Sequence, residues 1–482
     1  MKRFFLTGLS ALVFCSGIFA QNETDALRYS RIGFGGTARY SAMGGAFGAL
    51  GADISVISTN PAGLGFYHKN EMTFTPSFYN NNVTSTYNET MNTNSRFNFR
   101  FDNFGLVFAG KTDNNSETGW QTMAMGIAYN RYSSFQSNLN MSGNSNTSMM
   151  DSWAKSAGGN LPANLDGYNE GLAWNTYLLN QIPGDPTHYS DTIPTGDLLT
   201  QSKTVTMRGS MGEWIFGLAG NYSNKFYVGG SIGIPQVKYE EIDSYSEKEV
   251  NDTTSNFNYL QFDQNLSTKG RGFNIKLGAI YRPIDMVRIG FAFNSPSILK
   301  LTDSYGAQMI SIIGDSTRQN IAQDGSFSYS IRTPMRMIGS LAVILGKVAT
   351  VSADYEIVDY SESLLSSASY SFSTANKAIQ TKYTAASNIR VGTEVRLLPL
   401  ILRGGFAWYG SPYTNGVNNN AARLYITGGV GYRDPDDQFF IDLGVVTTTE
   451  KSNYYFYDQS LVNPVNNSSK VVNVVVTCGF RY

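Results

Sequence analysis

The feature that most constrains this chain is a strict alternation of apolar and polar side chains over long segments. In "RFNFRFD", Phe97, Phe99 and Phe101 share one face of a strand, while arginine, asparagine and aspartate occupy the positions between them. The same alternation recurs in "FNIKLGAIY" (273–281) and "IRVGTEVRL" (389–397). Strands of soluble sandwiches average about five or six residues, whereas a tilted strand needs about nine to eleven to cross a bilayer. The pattern therefore predicts membrane-spanning strands with an apolar outer face.

The composition supports this interpretation. Only 15% of the 482 residues are charged, against about 25% in an ordinary soluble domain, whereas 13% are aromatic and 48 are glycine. The formal net charge of −1 gives no reason to expect a nucleic-acid partner. After the first twenty residues no stretch approaches the roughly 20 apolar residues of a spanning helix. We therefore expect an all-β chain, either a transmembrane antiparallel β-barrel or, less favoured by its strand lengths, a secreted sandwich.

The spacing of turns predicts the number of strands. About fourteen alternating segments fit between residues 70 and 482, an even number, as bacterial outer-membrane barrels have. Tight links at "SN", "RPID", "GK", "LPL" and "DPDD" alternate with longer ones, the longest at about 141–207. In such barrels the short turns face the periplasm and the long loops face outwards. A closed barrel is required because lipid offers no hydrogen bonds to an open sheet edge.

The beginning of the chain has two segments of different character. Residues 1–20 have the layout of a cleavable signal peptide, with Lys2 and Arg3 before an apolar run, so we expect export to the outer membrane. Residues 21–69 are rich in glycine and alanine, too weakly hydrophobic for a core of their own, and are expected to fill the barrel as a plug. Asp53 is expected to cap a short helix that Pro61 ends.

Two parts of the chain resemble a known family. "TNPAGL" (59–64), preceded by Ala52-Asp53, and the tail from "NIRVGTEVRLLPLILRGGFAWYGSPY" (388–413) to "ITGGVGYRDPDDQFFIDLGV" (426–445) are similar to the FadL/TodX transporters of long-chain fatty acids and aromatic hydrocarbons. The resemblance implies a fourteen-stranded barrel blocked by an N-terminal hatch. It further implies that a hydrophobic ligand is captured outside, held in a pocket, and released through a side opening when the hatch shifts.

The resemblance also suggests which residues belong to the hatch and the side opening. The hatch residues would be Asn60, Pro61, Ala62 and Gly63, lying near a kinked third strand. Gly126 in "AMGIAY" is the candidate for that kink, because glycine weakens a strand.

Two further groups of residues are assigned from the sequence pattern. The long loop offers an amphipathic helical face that would capture ligand or, equally well, pack the loop onto the barrel rim; its members are Leu172, Trp174, Tyr177 and Leu178. The inner faces of the last strands carry charges that we expect to pair in a polar lumen rather than to bind ligand, namely Arg390, Glu394, Arg396, Arg403 and Asp442.

The predicted function is passive uptake of hydrophobic small molecules, such as long-chain fatty acids, through a hatch-gated, porin-like barrel. The alternatives are a PorV-like accessory or shuttle barrel of a type IX secretion system and, less favoured, a haem receptor that would use His188 or a tyrosine as axial ligand. The two histidines, His68 and His188, form no catalytic or metal-binding motif, so we expect no enzyme, cofactor or metal. Expected partners are a hydrophobic ligand, outer-membrane lipid, lipopolysaccharide and the barrel-assembly machinery, without nucleic acid, for a monomeric protein.

Overall fold

The architecture is taken from a computed structural model that describes residues 22–112, 118–250, 256–346, 348–418 and 421–482. The predicted signal peptide at 1–20 lies outside the described residues. Within them no helix is sufficiently long and apolar to span a membrane.

The described chain consists mainly of strands. The strands are β1 Glu71–Tyr87, β2 Thr90–Lys111, β3 Trp120–Ser134, β4 Ser137–Ser145, β5 Leu179–Ile182, β6 Asp185–Asp191, β7 Leu199–Tyr222, β8 Phe226–Glu249, β9 Phe257–Ile284, β10 Val287–Asn294, β11 Ile298–Ile313, β12 Ser316–Ile321, β13 Gly325–Arg332, β14 Arg336–Leu345, β15 Ala349–Asp359, β16 Leu364–Ser366, β17 Ala385–Leu397, β18 Leu400–Tyr409, β19 Arg423–Arg433, β20 Phe439–Tyr454 and β21 Val465–Arg481. The helices are α1 Glu23–Ser30, α2 Ala38–Ala42, α3 Met149–Ala157, α4 Glu170–Asn175 and α5 Ser373–Lys382, with 3₁₀ turns at Ile54–Ser58, Pro61–Phe66, Pro162–Asn164 and Tyr360–Glu362.

All of these strands except β5 and β6, which form a separate two-stranded sheet, build a closed antiparallel barrel of fourteen wall strands. Three wall strands are built from two consecutive pieces each, namely β3 with β4, β10 with β11, and β15 with β16, and a fourth is built from three pieces, β12, β13 and β14. The barrel closes between β1 and β21, which pair from Glu71 with Arg481 to Thr86 with Asn466. The predicted fold, a transmembrane barrel with an N-terminal plug, is confirmed.

The two faces of the wall differ as the alternation predicts. Outward side chains are apolar and exposed, as Phe97 (67% exposed) and Leu277 (55%) illustrate. Inward side chains between them are polar and covered, as Asn274 and Lys276 illustrate. In β21, Cys478 lies on the outward face between exposed Phe480 and the valines. The apolar outer band is the surface that contacts lipid.

Short links gather at one end of the barrel, called here the turn end, and longer ones at the other, the loop end. At the turn end Ser223 and Asn224 both have positive φ, as the two central residues of a type I′ hairpin turn must. A long loop expected between the first two strands is absent, because β1 and β2 stay paired up to Tyr87 and Thr90. A tight turn at Asn88 and Glu89, both with positive φ, joins them. The long loop is shorter than predicted, since β7 already begins at Leu199.

The plug occupies the bore as a series of short helices. Its backbone approaches the wall where inward wall residues are glycine: a Cβ on Gly392 would lie 2.4 Å from Met43 O, and one on Gly405 would lie 2.5 Å from Gly44 N. The predicted helix after Asp53 is the 3₁₀ turn Ile54–Ser58, and Asp53 accepts a hydrogen bond from Ser55 N. Pro61 does more than end that helix, because it begins the next one, Pro61–Phe66.

A lipid-face substitution tests this assignment of faces. Replacing Leu277 by arginine places a charge in the apolar band, and we expect a loss of about 2–4 kcal/mol in the free energy of unfolding. The measurement is urea unfolding of the protein refolded into lipid vesicles. Thr302→Arg is the control, because the outward residues around Thr302 are polar; equal losses in the two variants would contradict the assigned membrane boundary.

Candidate functional site

Asn60 fastens the plug to itself and to the wall. Its side chain accepts from Ala62 N at 3.2 Å, which caps the following 3₁₀ turn, and its Nδ2 donates to Gly48 O at 2.6 Å. A Cβ on Gly278 of β9 would lie 1.8 Å from Asn60 Oδ1, and one on Gly229 of β8 would lie 2.7 Å from Ala62 N. The Asn-Pro-Ala segment therefore contacts β8 and β9. The resemblance implied a different position, beside a kink in the third wall strand.

A buried chain of charges joins the plug to the last strands. Arg39 of α2 donates through Nε to Glu394 of β17 at 2.9 Å, and Glu394 also accepts from Arg403 of β18 at 2.8 Å. Arg403 continues to Asp442 of β20 at 2.7 Å. Arg396 pairs with the same Glu394 at 3.0 Å, but its side chain is 42% exposed. Four of the five predicted lumenal charges thus lie in one network, and Arg39 joins this network to the plug.

The fifth predicted charge, Arg390, belongs to a second network. Arg390 pairs with Glu356 at 3.0 Å and lies 3.5 Å from Asp354. Asp354 accepts hydrogen bonds from Gly48 N of the plug at 3.1 and 3.2 Å, and Glu356 also pairs with Arg336 at 2.6 Å. These charges are paired inside the wall and hold the plug backbone as well as each other.

A cavity of about 560 Å³ lies on the loop-end side of the plug. Its volume is within the roughly 300–1,000 Å³ of pockets that hold drug-sized ligands. The plug contributes Arg28 and Phe34 to its lining. Strands β1, β2 and β21 contribute mainly polar side chains, and β4 and β7 contribute the apolar Leu139, Val205 and Met207. The lining is therefore polar along β1, β2 and β21, apolar where β4 and β7 contribute, and charged at Glu241, Arg423 and Glu450.

The same cavity reaches a lateral interruption of the wall, called here the seam. The ladder between β2 and β3 runs from Lys111 with Thr122 only to Asn103 with Asn130. Beyond that pair, among the described residues, β4 pairs with β7 and not with β2. Side chains bridge the seam instead: Arg96 donates to Gln136 at 2.7 Å and to Asn138 at 2.9 Å.

The irregularity of the third wall strand is not at Gly126. Gly126 lies in a regular ladder, opposite Val107 of β2 and Gly217 of β7, so the prediction of a kink there is wrong. The register shifts between Arg131 and Ser133, and the strand is interrupted between β3 and β4. The Cβ position of Gly126 faces Ile54, Ile57 and Leu64 of the plug at 3.1–3.2 Å, so this glycine makes room for the plug.

The outer rim of the seam is aromatic. Phe97, Phe99 and Phe101 of β2 point outwards, and Phe99 packs against Phe78 of β1 with ring centroids 5.3 Å apart. The inward residues between them include Arg96 and Arg100. The seam is thus polar towards the cavity and apolar towards lipid.

The long loop uses its apolar face internally. Leu172 and Leu178 are fully buried in a core beneath the loop, and Trp174 packs edge-on to Tyr189 at 5.9 Å. Only Tyr177 of the four predicted capture residues is largely exposed, at 57%, with the Arg318 guanidinium 4.4 Å from its ring centre. Of the two alternatives left open by the sequence, packing of the loop is the one that fits Leu172 and Leu178.

The two histidines lie in different parts of the structure. His188 lies exposed in the long loop, with Nδ1 2.8 Å from Asp185. The backbone N–H of Thr187, followed by the His188 side chain, lowers the pKa of Asp185 to about 2. His68 lies at the turn end, before β1. Among the described residues no group of three or more His, Cys, Asp or Glu could hold a metal ion.

The charge network predicts how firmly the plug is held. Removing one partner of a buried ion pair costs about 3–5 kcal/mol, and each 1.4 kcal/mol or so is a tenfold change in an equilibrium constant. We therefore expect that in Arg39→Ala the plug is displaced from the wall for a larger fraction of the time. The measurement is the ion conductance of the protein in planar bilayers. Arg396→Ala is the matched control, because it removes a partly exposed partner of the same Glu394 from the wall; equal conductance changes would refute the anchoring role of Arg39.

Comparison with known proteins gives matches by structure. No family model matches the chain, and no curated protein matches it by sequence. A FadL homologue from Pseudomonas aeruginosa is 13% identical, with 93% of this chain and 99% of that chain aligned at a TM-score of 0.55. The toluene transporter TodX of Pseudomonas putida is 14% identical over 93% of this chain and 99% of its own, with a TM-score of 0.53.

A third solved structure agrees with these two. CymD, a monoaromatic hydrocarbon channel, is 11% identical over 93% of this chain and 98% of its own, with a TM-score of 0.50. The chain therefore has the fold of the FadL/TodX outer-membrane transporters, as the resemblance in its plug and last strands predicts.

Proposed function

We propose that this protein carries hydrophobic small molecules, such as long-chain fatty acids, across the outer membrane by passive diffusion. The observation that supports this proposal is the contact between the lumenal cavity and the seam. The plug closes the straight path along the bore, whereas the wall lacks a backbone ladder beside the cavity. A ligand that enters from the loop end thus has a sideways exit towards the bilayer.

A sideways exit suits an apolar ligand for an energetic reason. Burial of apolar surface is worth about 25 cal/mol per Å², so a ligand that passes from a cavity into lipid avoids a return to water. The phenylalanines on the outer rim of the seam offer such a ligand an apolar path. Movement then follows the concentration gradient and needs no energy source.

The structural neighbours support the same class of cargo. Their names refer to toluene and to monoaromatic hydrocarbons. The alternative of a PorV-like shuttle for protein secretion requires loops that hold a protein, and the buried positions of Leu172 and Leu178 provide no such surface from the predicted helical face.

Uptake measurements test the proposal. Cells that express the protein should take up labelled oleate or toluene faster than matched cells without it. We expect Arg96→Ala to accelerate this uptake severalfold, because Arg96 makes two side-chain hydrogen bonds that bridge the seam and each is worth about 0.5–1.5 kcal/mol.

The control for this experiment is Arg332→Ala, which removes an exposed arginine from β13, far along the wall from the seam. Equal uptake with and without the protein, for both ligands, would refute transport of this class. Co-purification with a secreted protein, together with equal uptake, would favour the secretion alternative.

A further inference from the structure

The polar side of the lumenal cavity is built from neighbouring strands. Adjacent β21 and β1 contribute Asn467, Ser469, Asn473 and Asn81, and β2, next to β1, contributes Arg100. Together with Ser134 of β3 across the seam, these residues are called here the polar wall. Asn81 lies beside the seam, because its side chain donates to Gln136 O.

Several atoms of the polar wall are buried without a hydrogen-bond partner among the described residues. These atoms are Arg100 Nη1, Asn467 Oδ1 and Asn473 Oδ1. Asn473 donates through Nδ2 to Asp102 at 3.1 Å, which leaves its Oδ1 as an acceptor. Buried polar atoms are almost always paired, so this set indicates a partner that occupies the cavity and offers both donors and acceptors.

Arg100 is held in a position to make such a contact. Its Nε lies 2.9 Å from Asp102 Oδ1, and its guanidinium lies 4.2 Å from the ring centre of Tyr79. Its side chain is only 10% exposed. The guanidinium is thus fixed on two sides, while Nη1 has no hydrogen-bond partner among the described residues.

The opposite side of the cavity has different chemistry. Leu139 of β4 and Val205 and Met207 of β7 present apolar side chains, and Phe135 lies between β3 and β4. A ligand that fills the cavity must therefore have an apolar part as well as a hydrogen-bonding part.

We infer that the cavity binds an amphiphile whose head carries several hydroxyl groups, the chemistry of a glycoside. This inference deepens the proposed function and rests on it. A bare hydrocarbon would leave the polar wall unpaired, which costs free energy for each buried group. A carboxylate accepts hydrogen bonds but cannot donate to the asparagine oxygens, whereas a hydroxyl both donates and accepts.

Three probes that share one benzene ring test this inference. Phenyl β-glucoside has a hydroxyl-rich head, benzoate has an acceptor-only head, and toluene has none. Binding to the purified protein is measured by equilibrium titration in a detergent without a sugar head. We expect phenyl β-glucoside to bind at least about tenfold more tightly than benzoate or toluene, since a site built for hydroxyl groups discriminates strongly against analogues without them.

Variants of the polar wall test whether phenyl β-glucoside binds in this cavity. Asn467→Leu with Asn473→Leu should weaken phenyl β-glucoside about tenfold, as loss of one or two net hydrogen bonds predicts, and should leave toluene binding unchanged. Ser134→Ala is a milder variant in case the double variant fails to fold, and its expected loss is smaller but of the same sign. Asn258→Leu is the matched control, because Asn258 is exposed in β9 at the loop end and hydrogen-bonds Gly314 O.

The outcomes separate the inference from the proposed function. Tighter binding of toluene or benzoate than of the glucoside would overturn the inference while leaving hydrophobic transport in place. Glucoside binding that is equal in the wild type and in Ser134→Ala and the double variant would also overturn it. Absence of binding and of uptake for all three probes would overturn both.

Discussion

The structure depends on one constraint, that a backbone surrounded by lipid must find all its hydrogen bonds within the protein. The wall meets this constraint by closing β1 onto β21 along almost their full length. Every wall strand is therefore fixed in register by two neighbours, except where β2 faces β3 and β4. There the side chains of Arg96, Gln136 and Asn138 replace the missing ladder. At the seam, separating β2 from β4 would break side-chain hydrogen bonds and not a backbone ladder.

Closure of the wall also determines how the plug is held. A lumen with polar walls offers little apolar surface to a segment of glycine and alanine, so fixed charges and close backbone contacts replace a large hydrophobic core. Glu394 joins Arg39 of the plug to Arg403 of the wall, while glycines such as Gly278 and Gly405 let the plug backbone approach the strands. These contacts lie on β9, β17 and β18, and the plug is also held beside the seam, where Gly33 N donates to Tyr132 O and Asn130 of β3 donates to Ser55 O.

The fold was largely predictable because its signals are local. Alternation over two residues identifies the strands and their faces, as in 273–281, and the small residues of 21–69 identify the plug. The site was less predictable because it depends on pairing between distant strands. Nothing in the sequence around Gly126 distinguishes a regular ladder from a kink, since the break depends on whether β2 pairs with Ser133 and its neighbours. Leu172 lies in α4, but the helix ends at Asn175 and Leu178 lies beyond it, and the sequence pattern does not reveal which surface these apolar side chains cover.

The position of the cavity follows from these two arrangements together. The plug leaves part of the bore unfilled on its loop-end side, and the lining of this cavity includes residues of β1, β2 and β21 as well as residues of β3 and β4 at the seam. Among the inward side chains there, Arg100 Nη1 and Asn473 Oδ1 are buried without a hydrogen-bond partner among the described residues. The outward side chains at the same level are phenylalanines, because lipid surrounds them. A polar cavity and an apolar exit are thus separated only by the thickness of one wall strand, and a ligand with two unlike ends is the kind of molecule that can contact both at once.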